Sequence, residues 1–281
     1  MPGRLRRLVA FSSDLAGGNP AAVWVGDEHP AEAEIQRVAL EVGDSETAFV
    51  APASGLERRV RYFSPCVEVP FCGHATVAAG VALGLEGGAG TYRFQTAAGE
   101  VPVRVVIEDG RWTAALTSAV PRHWPAPADA VDGALDALGW RRSGLEAAIP
   151  PALAYAGAWH LVLAVRDPET LASLDYRFDA LAAVLEAAGA VTAQLVWRER
   201  DDLFHSRNPF PVGGVVEDPA TGAAAAALGG YLRDAGLIEA PFSFTVRQGE
   251  AMGRPSVLEV SVPKTGGVVV AGAATPLEDA L

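Results

Sequence analysis

With 281 residues, half of them hydrophobic and a fifth charged, the chain can hold one large or two medium-sized domains with sizeable cores, two being the expectation, and most of it is not disordered. Its net charge of −12 argues against nucleic acid or anionic membrane as partner, since both demand a basic face. Lys264, the only lysine, sits between Pro263 and Gly266 in an expected loop, which argues against a pyridoxal Schiff base.

Two cysteines, Cys66 and Cys72, are too few for a disulfide framework, so a reducing compartment is expected. The apolar stretch after Arg4, Arg6 and Arg7 is too short for a signal peptide, and no run reaches the ~18 residues of a membrane span. A cytoplasmic protein without membrane contact is the expectation.

In chain order, strands are expected over Leu5–Phe11 and Ala21–Val25, joined by a Gly17–Pro20 turn. Pro30 opens a helix with the apolar face Ile35, Val38, Ala39 and Val42, closed by Gly43. Strands over Thr47–Ala51 and Arg58–Phe63 lead into Arg61-Tyr-Phe-Ser-Pro-Cys-Val-Glu-Val-Pro-Phe-Cys-Gly-His-Ala-Thr76. There a Gly-His turn meets a helix over Ala75–Leu83, so backbone N–H groups should point out of a helix start as a carboxylate or phosphate cradle. The segment from Gly84 to Gly90 reads as a turn-rich connector. Its glycines follow a helix, so a dinucleotide fingerprint is discounted.

Strands are expected next over Tyr92–Thr96, Val101–Ile107 and Trp112–Thr117, and the proline-bearing stretch Ala119–Pro127 is the best domain boundary. The second half repeats the order: a helix over Asp129–Leu138, strands over Leu153–Tyr155 and Trp159–Val165, a helix over Phe178–Ala188, and strands over Val191–Trp197 and Leu203–Arg207. A second cradle follows, Arg207-Asn-Pro-Phe-Pro-Val-Gly-Gly-Val-Val-Glu-Asp-Pro-Ala-Thr-Gly222, with a helix over Ala223–Leu232. Phe94–Glu100 is echoed by Phe244–Glu250, and similarities recurring in one order favour an internal repeat. Both helices that follow the cradles are apolar on every side, so each should be wholly buried. The economical architecture is α+β: two pseudo-symmetric domains, 1–118 and 119–265, each a curved mixed sheet wrapped around one central helix. A last strand within 266–275 could return to the first domain.

The motifs Gly18-Asn-Pro-Ala-Ala-Val23, Ser45-Glu-Thr-Ala-Phe-Val50, Arg61–Pro65, Cys72-Gly-His-Ala-Thr76, Glu217-Asp-Pro-Ala-Thr-Gly222 and Gln248-Gly-Glu-Ala-Met-Gly-Arg-Pro255 fall in order over nearly the whole chain. Together they resemble the phenazine-biosynthesis isomerase (PhzF-like) family, within the wider diaminopimelate epimerase fold. The resemblance implies a cofactor-independent isomerase or epimerase with its site in a cleft between domains. Glu46 would be the acid/base that moves a proton between carbons of a small carboxylate or amino acid. A carboxyl group does this best when desolvation raises its pKa.

Gly73 and His74 would bind substrate at the first helix start, though His74 is equally a hydrogen-bonded structural imidazole. Asp218 matches a substrate-binding position but equally an ordinary capping residue. Thr221, Gly222 and Ala223 would supply the second set of N–H donors. Asn19 would lie near the substrate, although a plain turn asparagine explains it nearly as well. Racemases of this fold use one thiol from each half; here Cys72 matches the first position and Pro219 the second, so a two-thiol mechanism is not available. Ala223 replaces a frequent family serine. Cys66, Cys72 and His74 lack zinc-finger spacing, so no metal site is expected. The family also suggests a homodimer. A hydro-lyase acting on a related hydroxy or amino acid, and a non-catalytic binding protein on the same fold, stand as alternatives.

Overall fold

The computed structural model describes residues 3–277. They divide into two compact units, residues 3–117 with 271–277, and Ser118–Val270. Among the described residues no helix is long and apolar enough to cross a membrane.

The first unit runs β1 (Arg4–Ala10), β2 (Asn19–Val25), α1 (Glu32–Val42), β3 (Thr47–Pro52), β4 (Glu57–Phe63), β5 (Glu68–Val69), α2 (Gly73–Gly87), β6 (Gly90–Thr96), β7 (Gly99–Glu108) and β8 (Arg111–Thr117). Strands β1, β2, β3, β4, β6, β7 and β8 pair in that order, with β2–β3 and β4–β6 parallel. Each parallel pair is bridged by a helix, as parallel crossovers require. Outside, α1 lays Ile35, Val38 and Ala39 over Trp24, Phe49 and Phe63. Glu32 and Glu34 stand at its positive end, and Gly43 closes it in the left-handed region (φ 71°).

Inside the strands lies α2, buried from His74 to Gly84. Small residues let the strands approach its backbone: a Cβ on Gly80 would stand 2.8 Å from Val103 and 3.0 Å from Ala114. The sequence reading ends this helix at Leu83 and makes Gly84–Gly90 a connector, which the structure corrects. Gly84 to Gly87 are its last turn, and Gly88 caps it, donating its N–H to the Gly84 carbonyl. A Cβ on Gly84 would strike Trp112 and Val105 at 2.7 Å, so this glycine serves close packing and not chain reversal.

The second unit contains β9 (Arg122–Pro125), α3 (Ala128–Leu138), β10 (Ala152–Tyr155), β11 (Trp159–Val165), α4 (Pro168–Ala172), α5 (Phe178–Ala188), β12 (Thr192–Arg200), β13 (Leu203–Arg207), β14 (Pro209–Phe210), β15 (Val215–Glu217), α6 (Gly222–Asp234), β16 (Phe242–Gln248) and β17 (Ser256–Val262). Its sheet order is β9-β10-β11-β12-β13-β16-β17, with β11–β12 and β13–β16 parallel. A parallel pair bridged by an outer helix, then one bridged by a buried helix, is the first unit's connectivity again. Helices α3 and α5 cover the outer face with Val131, Leu135, Leu181 and Leu185 against Leu161, Leu163 and Leu195. The stretch Ala119–Pro127, expected as a boundary, lies at the start of the second unit and carries β9, paired with β10 from Arg122 to Pro125. Pro125 tolerates this because β9 is an edge strand.

The chain then returns. Strand β18 (Val269–Pro276) pairs with both β8 and β1, in the register Leu8↔Pro276 and Ala10↔Ala274. Its pairing closes the first unit's eight strands into a barrel around α2.

Candidate active site

The carboxylate Glu46 ends a short loop whose position is set by an ion pair. Arg7 of β1 grips Asp44 through both guanidinium arms, its Nε donating at 2.9 Å. Asp44 is almost fully buried, so the pair fixes the chain two residues before Glu46. The Asp44 carboxylate also raises the Arg7 pKa. This anchor is not visible in the sequence, where Arg7 reads only as one of several terminal arginines.

The start of α2 is pinned from inside the barrel. Thr76 donates its hydroxyl to the Cys72 carbonyl at 2.7 Å, and Tyr62 of β4 meets the same hydroxyl at 2.6 Å. Tyr62 is wholly buried, and that burial raises its pKa, so it stays a neutral phenol. Cys72 is the residue before the helix and offers no side-chain cap. The N–H groups of Gly73, His74 and Ala75 have no acceptor within the helix itself, and the positive end of its dipole lies here.

These anchors bring three side chains together. Glu46 Oε2 lies 3.4 Å from His74 Nε2 and 3.5 Å from Cys72 Sγ. Cys72 Sγ is 3.4 Å from His74 Nδ1, and Ser45 Oγ is 3.2 Å from His74 Nε2. The His74 side chain is 7% exposed and that of Glu46 18%, so the carboxyl group is largely sheltered but still reachable. Either imidazole nitrogen can carry the proton, and the neighbouring acceptors decide which. The cluster differs from the cysteine grouping weighed in the sequence: Cys66 is exposed, and Glu46 joins Cys72 and His74 in a possible ligand set.

Gly73 and His74 are the first residues of α2. Asn19, expected near the substrate, is buried as the first residue of β2, opposite Ala10. Gly18 before it has φ 63°, and any side chain there would strike the Ala10 carbonyl, which explains the glycine of that motif.

In the second unit the start of α6 is held by Gln248, which sequence reasoning quotes inside a motif without giving it a role. Its amide nitrogen donates to the Asp218 carbonyl at 2.7 Å and lies 3.0 Å from Thr221 Oγ1, while its oxygen accepts from the Thr221 N–H at 3.3 Å. The next residue, Gly249 (φ 77°), lies where a Cβ would meet the carbonyls of Arg254 and Pro219. Asp218 accepts from the Thr221 hydroxyl at 2.5 Å. The helix's capping position falls on Thr221, not on Asp218. Behind it, Arg207 clamps the buried Glu217 with both arms, Nε at 3.0 Å. Gly222 is buried and Ala223 half-buried in the first turn. A cavity of about 500 Å³ in the first unit, lined by Asp27, Arg58 and Glu86 among others, contains none of these residues.

Two anchored helix starts thus stand on duplicated topology, one of them beside a sheltered carboxyl group. A family model for phenazine biosynthesis-like proteins matches residues 8–280. The chain is 31% identical over 267 residues to the uncharacterized isomerase YfhB of Bacillus subtilis, covering 92% of this chain and 90% of that protein. It is likewise 31% identical over 251 residues to the trans-2,3-dihydro-3-hydroxyanthranilate isomerase of Pseudomonas aeruginosa, covering 88% and 86%. The solved PhzF-family phenazine biosynthesis protein of Bacillus anthracis superposes with a TM-score of 0.85 over 98% of both chains, at 22% identity. The chain belongs to the phenazine biosynthesis-like family. Like its named relatives, it is an isomerase.

Proposed function

We propose that this isomerase moves a proton between carbons of a small carboxylate or amino acid, with Glu46 as the acid/base and no cofactor. The observation that carries this reading is the placement of the Glu46 carboxyl group, mostly sheltered and 3.4 Å from His74, beside the start of α2, which has no side-chain cap.

In the proposed reaction the Glu46 carboxylate accepts a proton from a carbon of the substrate. The electron pair left behind spreads onto the conjugated carbonyl or double bond. The Glu46 carboxylic acid then returns the proton to a second carbon, so no atom is gained or lost. The N–H groups of Gly73 and His74 suit the substrate carboxylate and the charge that builds on it. His74, with Ser45 on its Nε2, orients the Glu46 carboxyl group. In the second half, Asp218, Thr221, Gly222 and Ala223 are assigned to substrate binding, and Asn19 to the same role in the first. A relative named for an anthranilate-type substrate supports a cyclic amino acid as the class to test first. The two units are read as two epimerase-like domains of a cytoplasmic homodimer.

The test is proton exchange followed by NMR: the protein is incubated in heavy water with a panel of cyclic and acyclic amino and hydroxy acids, alongside Glu46→Gln. Deuterium should enter one carbon of a substrate, and the variant should lower that rate by at least about 10²-fold, the usual span of general acid/base catalysis. Undiminished exchange in Glu46→Gln would remove this residue from the mechanism.

A further inference from the structure

We propose that Glu46, Cys72 and His74 form a binding site for a thiophilic divalent cation of the zinc class, and that the bound ion silences the isomerase by occupying its acid/base group. The binding rests on geometry alone; the silencing also rests on Glu46 being the acid/base.

Three different ligand types converge here, a sulfur, an imidazole nitrogen and a carboxylate oxygen. Their separations are 3.8 Å for Sγ to Nε2, 3.5 Å for Sγ to Oε2 and 3.4 Å for Nε2 to Oε2. Bonds of about 2.3, 2.0 and 2.1 Å from sulfur, nitrogen and oxygen to a tetrahedral zinc ion place such ligands about 3.3 to 3.6 Å apart. The carboxylate and imidazole already stand at such a separation, whereas Sγ, 3.4 Å from Nδ1, must swing about 1.5 Å away from the ring to meet an ion on the Nε2 lone pair. Three protein ligands leave a fourth position for water.

The site is also built and sheltered. Cys72 and His74 are buried. The Tyr62–Thr76–Cys72 chain holds one ligand's backbone, and the Arg7–Asp44 pair holds the loop of another. The sulfur ligand selects zinc-like ions over magnesium or calcium, which prefer oxygen. The α2 start opposes a cation with about half a positive charge, but a thiolate and a carboxylate bring two full negative charges to the ion. Binding exchanges the Cys72 S–H bond for a sulfur–metal bond and releases that proton to solvent, with no change of oxidation state.

Cobalt(II) is the probe, titrated into the full chain under reducing, chelator-free conditions. One equivalent should produce a thiolate-to-cobalt charge-transfer band in the near ultraviolet, together with the intense visible bands of four-coordinate cobalt, and zinc should erase both. Cys72→Ser should lose the charge-transfer band, Glu46→Gln should weaken binding by about tenfold or more, and Cys66→Ser should keep the full spectrum. Absence of the band in the parent protein, or its loss in Cys66→Ser and not in Cys72→Ser, overturns the site. The Cys66 variant keeps the test decisive if Cys72→Ser does not fold. Zinc should abolish substrate proton exchange and a chelator should restore it; exchange that continues with the site filled overturns the silencing. A missing cobalt band with exchange lost in Glu46→Gln leaves the acid/base reading standing without the metal site. A band with exchange intact in Glu46→Gln does the reverse.

Discussion

His160 of β11 is fully buried, with only Thr192 Oγ1 at 2.8 Å from its Nδ1, and burial pushes its pKa down to about 3. The folded protein keeps it neutral, whereas the unfolded chain protonates it near 6.5. Its effect on stability is therefore nil above pH 6.5, and stability is lost as the pH falls from 6.5 toward 3. At pH 5 the loss is about 2 kcal/mol, 1.5 pH units at 1.36 kcal/mol each. Urea unfolding at pH 7 and pH 5 should show the parent losing about that much more than His160→Leu; equal losses would mean that His160 is not the group responsible. Residues of this kind explain what was legible at the site. Glu46, His74 and Cys72 stand out in short motifs, but Cys72 and Glu46 are 26 residues apart, and only folding shows that they touch. Arg7 has no local signature, and Gln248 stands in a motif that does not show its role, because both roles consist of bonds to distant segments.

At the scale of the element, α2 shows two effects in competition. Replacing Gly80 by Ala gains about 1 kcal/mol of helix propensity, but the new methyl group would stand 2.8 Å from Val103 and 3.0 Å from Ala114. Overpacking of a closed core costs about 1–3 kcal/mol, and β-branched Val103 has few rotamers into which it can retreat. The clash should win, so Gly80→Ala should lower the urea midpoint. A raised midpoint would show that the strands give way. Full burial of this helix was readable from its lack of a polar face. Its length was not, since Gly84 has the same appearance whether it stops a helix or admits Trp112 against its backbone. The reach of the buried α6 (Gly222–Asp234), by contrast, came within two residues of the expected Ala223–Leu232.

At the scale of the molecule, β18 closes the first unit's barrel, and without it β1 and β8 would become bare edges. Such edges invite pairing with other chains. Deleting residues 267–281 should therefore cut soluble yield sharply and abolish the parent's cooperative thermal transition, as judged by circular dichroism and light scattering. A soluble product with the parent's Tm would show that the seven remaining strands hold α2 without closure. By itself the sequence determined the order and type of most elements, the burial of both central helices and the family, since periodicity, turn residues and short motifs are all local properties. Only the tertiary structure decided which strands close the barrel, that the stretch expected as a boundary carries β9, and which distant residues support the two helix starts. Those outcomes depend on pairings between segments far apart in the chain, whose energies depend on shape and burial that no stretch of sequence carries alone.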